Sequence, residues 1–71
     1  MTWAPHRLDR LERAISDGSR VQVSRRGTEY IVVPRGLRAE YGSEVLTATH
    51  PNTGDEIEFR LDEIEWFDVI G

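Results

Sequence analysis

Five arginines, Arg20, Arg25, Arg26, Arg35 and Arg38, lie within nineteen residues of one another, with Tyr30 among them and Tyr41 close behind. Guanidinium forks grip phosphate oxygens in pairs and aromatic faces stack on bases, so this is the chemistry of a single-stranded nucleic acid or nucleotide site. The competing reading is an ordinary solvated face that happens to be rich in arginine. Catalysis has less to work with. His6 precedes the first apolar repeat and His50 stands in a turn, and neither forms a motif with Ser16, Ser19, Ser24 or Ser43. Glu56, Glu58, Glu63 and Glu65 offer hard oxygen ligands of the kind calcium and magnesium take. Their alternate spacing is also what the wet face of a strand produces. The expectation is a protein that is not an enzyme, with no cofactor and no metal.

Charge is distributed unevenly along the chain. The net charge is −4, but residues 1–38 carry +4 and residues 39–71 carry −8, and every basic residue is arginine. Two readings stay open. Strands from the two halves could interleave and pair their charges, or the molecule could be dipolar and present opposite faces to a second copy or a charged partner. With 71 residues and no cysteine, there is room for one small domain without disulfide staples, which raises oligomerisation as a source of stability. No signal-like apolar run opens the chain and no segment reaches the roughly 20 apolar residues that cross a bilayer. A cytoplasmic protein without membrane contact is therefore expected.

The elements that would position these residues are read from hydrophobic period. Leu8, Leu11, Ala14 and Ile15 recur at helical spacing, with Pro5 suited to a first turn and Asp17-Gly18 to a stop, which predicts a helix over residues 5–17. The period then becomes two. Strands are expected at 20–25, 28–33, 44–49, 56–60 and 65–70, with Arg26-Gly27 as a turn and the stretch from His50 to Asp55 as a hairpin loop. Tyr30-Ile31-Val32-Val33 is apolar on both faces and reads as a covered central strand, ended by Pro34. Residues 35–43 read as a loop anchored by Leu37. Leu61-Asp62-Glu63-Ile64 reads as one tight turn with both apolar ends tucked in. In the last strand Phe67 and Val69 share the core face, which leaves Trp66 and Ile70, together with Trp3 from the N-terminal segment, as interface candidates. The fold class expected is α+β, mainly β: an N-terminal helix followed by a five-stranded antiparallel barrel of the SH3-like or Sm-like kind.

Four segments in order resemble the WYL domain: Leu11-Glu12-Arg13-Ala14-Ile15 before the first strand, Val33-Pro34-Arg35-Gly36-Leu37, Val45-Leu46-Thr47-Ala48, and Phe59-Arg60-Leu61-Asp62-Glu63-Ile64 before the last strand. The resemblance covers about residues 8–70, so the whole of 1–71 is read as a single WYL-like domain. It implies an Sm-like barrel and a part in bacterial transcription regulation, where such domains usually follow a helix-turn-helix and sense ligands through a basic and aromatic surface. The naming triplet falls on Glu44, Val45 and Leu46, and two of the family's basic positions fall on Ile57 and Glu63. Arg60 remains. No helix-turn-helix accompanies the domain, so operator recognition by this chain alone is not expected.

The functional expectation is a non-catalytic regulatory or interaction module that self-associates, most simply as a dimer, or binds a partner protein through Trp3, Trp66 and Ile70. The alternative is binding of single-stranded nucleic acid or a nucleotide by Arg25, Arg26, Tyr30, Arg35, Arg38 and Arg60.

Overall fold

The computed structural model describes residues 5–71, so Trp3 lies outside the described residues. Helix α1 spans Pro5–Asp17. It stops because Gly18 takes φ +70°, which lets the Gly18 N–H donate to the Ile15 carbonyl and the Ser19 N–H to the Ala14 carbonyl at 3.0 Å. This paired closure satisfies carbonyls that a helix end leaves without partners. Leu11 and Ala14 are buried and Leu8 and Ile15 pack beside them, so the predicted stripe is the buried one.

Strands β1 (Val21–Arg25), β2 (Thr28–Glu40), β3 (Ser43–Thr49), β4 (Glu56–Arg60) and β5 (Ile64–Val69) form one antiparallel sheet in the order β4-β3-β2-β1-β5. A one-turn 3-10 helix, Leu61–Glu63, joins β4 to β5 and buries Leu61, with Ile64 buried just after it. The outermost strands of the sheet are thus neighbours in sequence, and the sheet curls into a partly open, barrel-like α+β fold.

The main departure from the sequence reading is β2. It does not end at Pro34 but runs thirteen residues to Glu40, and the predicted loop at 35–43 is half of a hairpin. Residues 28–32 pair with β1, while residues 33–40 pair with β3, and the ladder shifts register between Pro34 and Gly36. A proline fits inside a strand at such an irregularity because no ladder N–H is required there. Pro34 is itself fully buried. Leu37 sits in the strand, opposite Leu46.

A second departure concerns the outer face of β2. Val32 is buried, but Ile31 is 49% exposed, so the strand is covered on one side only. The helix and the inward side chains of the other strands share that covered side. Inward-facing Val21, Val23, Val32, Leu46, Ala48, Phe59 and Phe67 form the core with Leu11 and Ala14 from α1. Tyr30 adds an edge-to-face contact with Phe59 at 5.3 Å between ring centroids, a favoured aromatic arrangement.

Alternation in β5 is broken by a bulge. Arg25 faces Ile64 and Ser24 faces Trp66, which leaves Glu65 as the extra residue. Ile64 and Phe67, three apart, therefore both face inward, while Trp66 turns out. The Glu65 carboxylate accepts a hydrogen bond from the Ser24 hydroxyl at 3.1 Å and another from the Gly27 N–H at 3.2 Å, so it ties the β1–β2 turn to β5.

Candidate interaction surface

The six candidate phosphate-binding residues do not converge on an open patch. Arg25 lies along the side of the barrel with its guanidinium over the rings of Phe59 and Tyr30, at 4.8 and 5.1 Å, and it donates to the Glu58 carbonyl and the Tyr30 hydroxyl. It links β1 to β4, strands that are not neighbours in the sheet. Arg26 is held by Glu63 at 3.0 Å. Arg38 is shared between Glu58 at 2.7 Å and Glu40 at 3.0 Å. Arg60 donates to the Ser43 hydroxyl and faces Asp62 at 3.8 Å. Arg35, exposed at the register shift of β2, has no such partner among the described residues.

Each engaged arginine thus offers a phosphate a site already filled by carboxylate or carbonyl oxygen. The Arg38 guanidinium donates to the Glu58 carboxylate and holds its pKa below the usual glutamate value. That hydrogen bond, seconded by one to Glu40, moves the guanidinium's own pKa upward. Arg38 and Arg60 also lie on either side of Val45 in one cross-strand row. Val45 belongs to the polar outer side of β3 yet is only 5% exposed, as expected where arginine stems cover an apolar neighbour.

These pairs answer the charge question. Arg10–Asp68, Arg26–Glu63, Arg38–Glu40 and Arg38–Glu58 each join the basic half of the chain to the acidic half. Opposite charges interleave on one surface because β1 and β2 are flanked by β5 and β3, which come from the other half. Among the described residues no group of three or more histidines or carboxylates has metal-binding geometry. The Glu65 carboxylate is instead engaged by Ser24 and Gly27, and Glu58 and Glu63 by arginine.

A different surface has the character of an interface. Across the outward face of β5-β1-β2, Trp66, Ser24 and Glu29 form one row, Asp68, Gln22 and Ile31 the next, and the Ile70 N–H donates to the Arg20 carbonyl beyond them. Trp66 is 40%, Ile31 49% and Ile70 50% exposed. Phe67 on the opposite side of β5 is buried, with Arg7 and Arg10 of α1 over its ring at 5.7 and 5.8 Å. The assignment of Trp66 and Ile70 to the exposed side, and of Phe67 to the core side, agrees with the periodicity.

Ile31 was not legible as part of this surface, since a four-residue apolar run gives no sign of which face remains uncovered. It also lines a shallow groove of about 510 Å³ between Arg20 and the loop from His50 to Asp55. That loop is closed by the His50 N–H donating to the Asp55 carbonyl and the Gly54 N–H donating to the His50 carbonyl, both at 2.9 Å. His50 therefore stands at the rim of a groove, and none of the described residues that line it is a serine.

The same fold occurs in a known protein. The chain superposes on proteasome accessory factor B/C (PafBC) of Arthrobacter aurescens with a TM-score of 0.80 at 21% sequence identity, over 100% of this chain and 13% of that one. That likeness establishes the fold. This chain corresponds to a small part of the larger protein's length. No family model matches the chain, and no curated protein matches it. No helix among the described residues is long and apolar enough to cross a membrane.

Proposed function

We propose that the chain is a non-catalytic regulatory and interaction module of WYL type, which self-associates through the outer face of β5-β1-β2. The observation that carries this reading is the exposure of Trp66, Ile31 and Ile70 on neighbouring rows of that face, next to a groove. Aromatic and large aliphatic residues brought together on a surface are the usual anchors of protein interfaces. The whole-chain likeness to one segment of an accessory factor supports a domain that works as a part of something larger. The four segments that carry the WYL resemblance lie on α1, at the register shift of β2, on β3, and at the junction from β4 through the 3-10 turn to β5.

The test is light scattering coupled to size exclusion, run from micromolar to millimolar protein, on the wild type and on a Trp66→Ser/Ile31→Ser double variant. The wild-type mass rises with concentration and the double variant stays at the monomer mass. A wild type that remains strictly monomeric throughout sinks the self-association reading. Fluorescence anisotropy with a short oligonucleotide at low salt adds a second arm. Tight binding there would transfer the working role to the arginine-rich half.

A further inference from the structure

Two turns of the barrel share one backbone geometry and differ in what holds their first residue. Arg26-Gly27 joins β1 to β2 with φ of 52° and 78°, and Tyr41-Gly42 joins β2 to β3 with φ of 51° and 78°. The flanking pairs, Arg25 with Thr28 and Glu40 with Ser43, make both of them two-residue hairpin loops. Positive φ at both central positions marks the mirror-image turn that matches strand twist, and asparagine, aspartate or glycine is the usual first residue. A bulky side chain there is strained.

At the first turn the strained residue is tied down by the fold, because Arg26 reaches Glu63 at 3.0 Å. At the second, Tyr41 is 100% exposed, and no contact with the described residues offsets its conformation. Neither the turn nor the core needs an aromatic ring at that point. Strain that the surroundings do not use internally is a recognised mark of a functional position.

The neighbourhood decides what the ring can meet. Glu40 and Glu44 flank the turn, and both are exposed. The nearest cations in the flanking strands are already engaged, Arg38 by Glu40 and Glu58, and Arg60 by Ser43 and Asp62. Glu44 has no ion-pair partner among the described residues. An exposed ring with a negative face, three residues from an exposed carboxylate on the same hairpin, is complementary to a cation.

We propose that the β2–β3 hairpin tip is a docking site for an arginine- or lysine-bearing segment of a partner protein, with Tyr41 as the cation–π anchor and Glu44 as the ionic contact. This site is independent of the outer face described above. Trp66 sits in the row of Glu29, near the start of β2, while Tyr41 follows the end of that strand.

The probe is a hexa-arginine peptide titrated into the 15N-labelled protein, compared across the wild type and the variants Tyr41→Asn, Glu44→Gln and Glu12→Gln. Amide shifts concentrate at residues 40–44 in the wild type. Tyr41→Asn binds roughly two- to fivefold more weakly, the range an exposed cation–π contact supplies. Its melting temperature is kept or raised, since asparagine accepts the turn's geometry. Glu44→Gln weakens binding as well, while Glu12→Gln, the same change of charge at an exposed position of α1, leaves it unchanged.

Three results overturn the proposal. One is shifts spread over all the acidic residues with no preference for the tip. Another is equal affinity in Tyr41→Asn, which would reduce the effect to net charge. The last is tip shifts that depend on protein concentration without peptide, which would make a second copy the occupant.

Discussion

Removing the Glu65 side chain tests whether the β5 bulge is a stabilising device. In Glu65→Ala the Ser24 hydroxyl, in a residue only 5% exposed, loses its acceptor, while the Gly27 N–H lies at an exposed turn where water replaces the carboxylate. An unsatisfied buried polar group costs about 1–3 kcal/mol, so the buried half of the interaction sets the size of the effect. For a domain of 71 residues, each kcal/mol corresponds to roughly 4–8 °C of melting temperature. Total stability in this size range is only about 4–10 kcal/mol. The loss therefore shows readily in thermal melts and in urea unfolding followed by tryptophan fluorescence. A double-mutant cycle isolates the cause. In a Ser24→Ala background no hydroxyl is left stranded, and Glu65→Ala costs at least about 1 kcal/mol less than it does alone. If the cost is the same in both backgrounds, the carboxylate acts through something other than Ser24 and the reasoning fails.

Two further predictions concern the surface. Arg26→Asn relieves a strained φ of 52° and gives up one exposed ion pair with Glu63. Because the pair is worth at most about 1 kcal/mol and the backbone strain about 1–2 kcal/mol, the melting temperature stays level or rises, and a clear fall would show that Glu63 does more than this. Glu58 has its carboxyl pKa lowered by the hydrogen bond from Arg38. A depressed folded-state pKa contributes stability above the unfolded value that is lost as pH falls through the folded one. Urea midpoints of the wild type therefore decline from neutral pH into the acid range, and Glu58→Gln flattens part of that decline. An unchanged acid limb in the variant would contradict the pairing.

Much of the frame could be read from residue types. The three- and four-residue spacing of Leu8, Leu11 and Ile15, closed by Asp17-Gly18, gave α1 its limits, and the alternation from Glu56 to Arg60 gave β4 its own. Trp66 and Phe67 were assigned to opposite faces because neighbours in a strand must be. Pro34 misled because it is a strand ender only where a ladder N–H is needed, and here it abuts a register shift. That one residue hid the second half of β2 and with it the hairpin that presents Tyr41. The pairing of Arg38 with Glu58 was hidden for another reason. Charge counts say that opposite signs are present, but only the register of β2, β3 and β4 brings these two together.

The pairing of β1 with β5 also has a consequence for how the chain reaches this fold. The β1–β2, β2–β3 and β3–β4 contacts are local hairpins, whereas Val21 meets Val69 across most of the sequence. Contacts of that separation form slowly because a long loop must close first. During synthesis β1 emerges early and waits with one edge unpaired until β5 is made. An unpaired strand edge invites pairing with other chains. The interval before β5 docks on β1 is therefore the time at which the protein is most exposed to misassembly, and substitutions that slow this docking lengthen it.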